Sequence, residues 1–297
     1  MKSCTRCSAS PAREISMQNA IEVNGLTKLY GGFSLDNVSF TLPTGCIMGL
    51  IGENGAGKST TIRLLLGLAK RTSGEVRVLG ADPETAEPEL REEIGAVFDD
   101  CPFPETMSLR DVRKILSAAY RHFDGGRFDA LALKFGLPEK QKIKEYSRGM
   151  RMKLSISAAL SHGARLLILD EPTSGLDPVA RDELLDILLD YIQDERCSVL
   201  ISSHILSDLE KACDYITFIH TGRVVFSEEK DELLEKYVIA KGSEREIAAL
   251  DPEAVVGVRR GAFGSEALVK RAAGEHLTHE RASIEDIMLY YIKGDAK

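Results

Sequence analysis

The chain has 297 residues, 43% of them hydrophobic and 28% charged, with a formal net charge of −8. That length suits one large domain plus a small one with a sizeable core. The acidic balance argues against a surface that coats nucleic acid, and no apolar run approaches the roughly 20 residues that a membrane-spanning helix needs.

Residues 1–17 are polar, hold no apolar signal core and read as a disordered tail. Their Cys4-Thr5-Arg6-Cys7 is a lone CxxC with no second Cys/His pair at metal spacing. Met17 stands just before the first strand pattern and is a candidate start. Cys46, Cys101, Cys197 and Cys213 are scattered, several in strand-like apolar runs, as expected of reduced thiols. A short strand is predicted at 21–23 and an alternating antiparallel strand at 35–42, closed by Pro43 and Gly45.

The apolar run 46–51 then leads into Gly52-Glu53-Asn54-Gly55-Ala56-Gly57-Lys58-Ser59-Thr60, and a helical pattern follows. Strand, glycine-rich loop, Lys-Ser and helix form the context of a phosphate-binding P-loop. Its glycines let successive N–H groups turn toward phosphate oxygens, and the helix N-terminus adds partial positive charge. Lys58 reaches the β- and γ-phosphates, and the Ser59 hydroxyl can ligate Mg²⁺. Given that loop, the aromatic face of Tyr30 upstream becomes a candidate adenine platform.

Further strands are predicted at 74–80 and 94–98, the latter running into Asp99-Asp100. Residues 102–161 change character and read as helices over 109–123 (Ser108 as N-cap), 128–135 and 150–160, an inserted subdomain. Residues 165–171 form an uninterrupted apolar run ending in Asp170-Glu171, a strand buried on both faces whose acidic end lies at the carboxyl edge of a parallel sheet. Asp170 would hold Mg²⁺ through its water shell, and Glu171 would polarise an attacking water. A helix at 178–193 follows Asp177 as N-cap, and a strand at 197–202 ends at Ser203-His204. His204 is placed to hydrogen-bond a γ-phosphate. A helix is predicted at 205–212, then a hairpin of 215–220 and 223–227 around Thr221-Gly222. From 230 on, a small α/β domain is predicted, with helices at 231–237 and 283–292 and strands at 255–260 and 267–270.

Over residues 20–230 this ordered set resembles the ATP-binding cassette (ABC) family. Tyr146-Ser147-Arg148-Gly149-Met150 looks like that family's signature motif, Thr173-Ser174-Gly175-Leu176-Asp177 like its D-loop, His204 like its switch histidine and Tyr30 like its adenine-stacking aromatic. The resemblance implies an α/β P-loop NTPase cassette with a mixed sheet, an inserted helical subdomain near 102–161 and a small C-terminal α/β extension at 230–297, the ATPase domain spanning 18–229. It implies ATP and Mg²⁺ as ligands. Gly52, Asn54, Gly55, Ala56, Gly57, Lys58, Ser59 and Thr60 would bind the phosphates, Ser59, Asp99 and Asp170 the metal, and Glu171, His204 and Lys58 would serve the chemistry.

It also implies two cassettes packed head to tail, as a homodimer or with a homologous cassette. Ser147 and the Gly149 N–H would then meet the partner's γ-phosphate, with Asp177 at the same interface. Three positions depart from the family pattern: Asp99 stands for the usual glutamine after the strand, and in the signature Arg148 stands for a glycine and Met150 for a glutamine. A backbone that required positive φ would strain Arg148; the expectation is that it does not, and that the guanidinium adds charge near the partner's phosphates.

A narrower resemblance, carried by 142–151 and 283–291, is to bacterial cassettes with a separate permease, as in antibiotic-resistance and lantibiotic-type exporters. It implies a cytoplasmic subunit, peripheral on the inner face of the membrane through its permease, with no nucleic-acid partner. The competing class is a soluble mechanical ABC ATPase acting on ribosomes or DNA. Such proteins carry paired cassettes or a long coiled-coil insertion, and this chain has one cassette and no heptads. A nucleotide kinase lacks a signature segment between its P-loop and its acidic strand.

Overall fold

The computed structural model describes residues 19–261 and 264–293. The expected tail, with Cys4, Cys7 and Met17, lies outside the described residues. In chain order the first region holds strands β1 (Asn19–Leu29), β2 (Ser34–Pro43) and β3 (Ile47–Ile51), helix α1 (Lys58–Leu65), β4 (Ser73–Val78), α2 (Pro88–Glu92) and β5 (Ile94–Val97). A helical block follows: α3 (Leu109–Ala119), α4 (Gly125–Lys134) and α5 (Arg148–Ala159). Next come β6 (Leu166–Asp170), α6 (Pro178–Tyr191), β7 (Ser198–Ser202), α7 (Leu206–Ala212), β8 (Tyr215–His220) and β9 (Arg223–Glu229). The C-terminal region holds α8 (Lys230–Lys236), β10 (Tyr237–Gly242), α9 (Glu244–Ala248), β11 (Val255–Gly261), β12 (Gly264–Lys270), α10 (Arg271–Gly274), β13 (Thr278–Arg281) and α11 (Ile284–Lys293).

The central sheet runs β5-β6-β7-β3-β8-β9, parallel except for the antiparallel edge strand β9. An antiparallel sheet, β2-β1-β4, sits beside it, so the architecture is the expected α/β one with mixed strand directions. Every residue of β3, β6 and β7 is buried, which explains why these runs are apolar throughout instead of alternating. Alternation survives as a choice between two cores. Met48, Leu50, Leu166, Ile168 and Leu200 face the cluster shared with α1 and the antiparallel sheet, whereas Ile47, Ile51, Leu167, Leu169, Val199 and Ile201 face the helical block. Each such side chain contributes about 1.5–3 kcal/mol by burial.

The helical block is present, with two boundaries corrected. Helix α3 stops at Ala119, not 123, because Tyr120 turns extended and stacks on His162 with ring centroids 4.2 Å apart. The chain is then tied down where the Asp124 N–H donates to Ser161 O (2.7 Å). Asp124 caps α4 by accepting from Arg127 N, so α4 starts at Gly125, earlier than the predicted 128; the Gly125-Gly126 pair hid that start.

The C-terminal region forms its own antiparallel sheet, β11-β12-β10-β13. One face carries a separate small core around Val238, Ile247, Leu250 and Val269. The other face, with Ile239, Leu268, Ile284, Ile287 and Tyr290, merges into the main core. Its strands β10 and β13 and helix α9 were not predicted.

Candidate active site

Four neighbouring parallel strands deliver the candidate residues to one edge of the central sheet. β3 ends in the P-loop, β7 in Ser202-Ser203-His204, β6 in Asp170-Glu171, and β5 runs out to Asp99. Register aligns them: Ser202 lies opposite Leu50 on one side and Asp170 on the other, and Val97 lies opposite Leu169. Together they line a cavity of ≈ 600 Å³ that includes Gly52, Asn54, Ser59, Asp99, Asp170, Glu171 and His204. Carboxyl strand ends of an open α/β sheet are where such folds place ligands.

The P-loop backbone is what the glycine spacing predicts. Gly57, at φ +121°, is the N-cap of α1, and a Cβ there would meet Leu35 Cδ1 at 2.8 Å. Gly52 lies so close to β8 that a Cβ would stand 2.3 Å from Ile219 O. Helix α1 has no side-chain cap and no acidic residue in its first turn, so its positive end stays open to an anion. Lys58 is only 7% exposed; its Nζ donates to Gly52 O (2.8 Å) and lies 3.6 Å from Glu171 Oε1. The ammonium is therefore held over the loop on which phosphates would rest.

Glu171 has the left-handed φ of +53°, a costly conformation for a residue with a side chain. It is held there by its N–H, which donates to Ser202 O (3.1 Å) and Ser202 Oγ (3.0 Å). The turn aims its carboxylate at Lys58 and at His204, whose Nδ1 lies 2.6 Å from Oε2 and whose backbone N–H donates to the same oxygen (3.2 Å). Because a carboxylate can only accept, Nδ1 carries the proton of that bond. Nε2 then donates to a phosphate only if the ring takes up a second proton.

Asp170 is buried and accepts from Ser202 Oγ at 2.6 Å. A buried carboxylate beside an anion-binding loop suits a cation close by. Among the described residues no group of three or more His, Cys, Asp and Glu is arranged to hold a metal by itself. The donor set that fits is the Ser59 hydroxyl with Asp170, completed by phosphate oxygens and water, as Mg²⁺ prefers.

Asp99 faces the same cavity but is exposed, and its carboxylate pairs with the Arg148 guanidinium. Arg148 Nη2 also donates to Ser174 Oγ (3.1 Å). Arg148 is the first residue of α5 and does not have positive φ. Its guanidinium is paired within its own chain.

Of the expected ligand residues, Gly55, Ala56, Gly57, Lys58 and Thr60 of the P-loop lie behind the cavity lining, and Tyr30, Ser147, Gly149 and Asp177 lie outside it on other elements. Tyr30 is 49% exposed, with Lys28 Nζ 5.1 Å from its ring centroid. Ser147 caps α5 by accepting from Met150 N (3.2 Å). Asp177 caps α6 by accepting from Val179 N (3.1 Å) and Ala180 N (3.0 Å). These donors, Ala180 N–H first, hold its carboxyl below the usual carboxylate range. Sequence reasoning missed Ser202, which orders both acids, and Met288 of α11, which walls the cavity beside His204. A hydroxyl at the end of an otherwise apolar buried strand was the available signal for Ser202; nothing local pointed to Met288.

The chain matches the family model described as "ABC transporter" over residues 35–174. It is similar to the lantibiotic transport ATP-binding protein SrtF of Streptococcus pyogenes, with 36% identity over 71% of this chain and 91% of that protein. It is also similar to the bacitracin transport ATP-binding protein BcrA of Bacillus licheniformis, with 35% identity over 70% of this chain and 69% of that protein. A solved structure of the ATP-binding subunit of an ABC transporter superposes with a TM-score of 0.65 at 28% identity, covering 72% of this chain and 91% of that one.

Proposed function

Because this chain belongs to the ABC transporter family as an ATP-binding, ATP-hydrolysing subunit, we propose that its cavity binds Mg²⁺-ATP and that Glu171 is the general base. Lys58 and the P-loop N–H groups take the β- and γ-phosphates, and Ser59 and Asp170 take the metal. When bound, the metal neutralises charge developing between those phosphates. Glu171 accepts the proton of the attacking water, and His204 fixes the carboxylate that does so. The observation that carries this reading is the left-handed turn at Glu171, which aims its carboxylate at both Lys58 and His204. Tyr30 offers its exposed ring to adenine.

Ser147, the Gly149 N–H and the D-loop around Asp177 serve a second cassette packed head to tail, in a homodimer or with a homologous chain. Ser147, Gly149 and Asp177 are absent from the lining of their own cavity, which supports this. A separate permease is the second partner. Among the described residues no helix is long and apolar enough to cross a membrane. An apolar cavity of ≈ 480 Å³ between the central sheet and α3, lined by Leu68, Phe98, Phe103, Ile115 and Tyr120, suits a permease helix. The chain would then lie on the cytoplasmic face. By likeness to SrtF and BcrA, the cargo is an exported peptide antibiotic.

The test is a pull-down of tagged Glu171→Gln protein with ATP from detergent-solubilised native membranes, with its oligomeric state measured alongside. An ATP-dependent dimer recovered with an equal amount of a polytopic membrane protein is expected. Recovery of ribosomal or DNA-bound proteins with no membrane partner would overturn the permease reading.

A further inference from the structure

Two of the three departures from the family pattern, Asp99 and Arg148, meet each other. They come from segments 49 residues apart in sequence, and their side chains pair at the rim of the cavity. We propose that Arg148 is a positioning residue of its own chain's nucleotide site: it holds Asp99 at the cavity rim and supplies the positive charge that this carboxylate needs beside a triphosphate. This rests on the reading of the cavity as the nucleotide site.

Charge accounting within the cavity leads to it. Four carboxylates line it, Glu53, Asp99, Asp170 and Glu171, and Glu53 Oε2 lies 3.6 Å from His220 Nδ1. Glu171 has Lys58 and His204, and Asp170 has the Ser202 hydroxyl. Asp99 has Arg148. A glutamine at this position would bring no charge and need no counter-ion; an aspartate brings one and does.

The guanidinium is also aimed. Arg148 lies along the D-loop, so that a Cβ on Gly175 would meet its Cδ at 3.1 Å and its Nε at 3.4 Å. Ser174 Oγ accepts from Nη2. The stem is thus laid over 174–175 and the head is turned into the chain's own cavity. One side chain thereby joins the signature helix α5, the D-loop and the strand end of β5. Mg²⁺ bound with the nucleotide would supply neutralising charge near Asp99, so that Arg148 would then no longer decide the affinity.

The experiment measures equilibrium ATP binding to the full chain, in EDTA and in Mg²⁺, for the parent, Arg148→Ala, Arg148→Lys and Asp99→Asn/Arg148→Ala. The pair is half exposed, so a modest effect is expected: Arg148→Ala weakens metal-free ATP binding by about two- to fivefold. Arg148→Lys keeps most of the affinity, the double variant returns to the parent value, and in Mg²⁺ the four proteins converge. A double variant as weak as Arg148→Ala would overturn the proposal, because the defect would then not run through Asp99. So would unchanged binding in Arg148→Ala combined with loss of ATP-driven dimerisation in the Glu171→Gln chain, which would place the guanidinium on the partner's phosphates. A parent that binds no ATP in either buffer would instead overturn the nucleotide site itself.

Discussion

On the P-loop side of the cavity the functional groups are buried or half-buried and tied to strand ends and loop backbone: Lys58 to Gly52 O, the Glu171 N–H to Ser202 O, and Asp170 to the Ser202 hydroxyl on a buried strand. On the signature side they are exposed and tied mostly to other side chains. Asp99 and Arg148 are each about half exposed, and they are joined by one ion pair and one hydroxyl. Backbone-anchored groups in a close-packed sheet keep their geometry without a ligand, while exposed side-chain pairs exchange partners at little cost. The first half keeps its shape without a ligand, and the second can rearrange at little cost.

Breaking the rigid half should cost most. Lys58→Ala removes the buried ammonium held at Gly52 O, and nucleotide affinity should fall on the order of 100-fold in calorimetric titration. Glu171→Gln keeps the shape and loses the base. Its kcat should fall by about 10²–10⁴, with ATP affinity within a few-fold of the parent; wild-type turnover would remove Glu171 from the chemistry. Ser202→Ala sharpens the contrast, since it touches no nucleotide. It strips Asp170 of its donor, and stability should drop by about 1–3 kcal/mol in denaturant melts, together with kcat.

The sequence made the rigid half readable for the same reason that it is rigid. Buried parallel strands are spelled as continuous apolar runs, and their ends stand out where polarity returns, at Gly52, at Asp170-Glu171 and at Ser203-His204. The pairing of Asp99 with Arg148 left no such mark, because two charged residues 49 positions apart show nothing of their contact. The C-terminal sheet was half hidden too. Strand β13, Thr278–Arg281, is exposed at every residue and has no alternation to read. Strand β10 follows α8 with no turn residue between them, so the predicted helix at 231–237 runs on into its first residue, Tyr237. Helix ends were misplaced where a tertiary contact decides them, as when Tyr120 leaves α3 to stack on His162.

The smallest predicted effect separates structure from interface at Asp177. The N–H groups of Ala180 and Val179 stabilise its ionised form, so its pKa is depressed in the folded chain. A depressed carboxylate contributes stability that is fully present above the unfolded pKa, near about 4, and is lost as pH falls through the lower folded value. Asp177→Ala should therefore lower Tm near neutral pH by on the order of 2 °C, as loss of an exposed cap does in a domain of this size. The gap between parent and variant should close as the pH is taken below about 4. If Asp177 only caps α6, ATP affinity and ATP-driven dimerisation should stay at parent values in the variant. A dimerisation defect larger than the small loss of Tm accounts for would show that the same carboxylate also faces the second cassette, as its place in the D-loop implies.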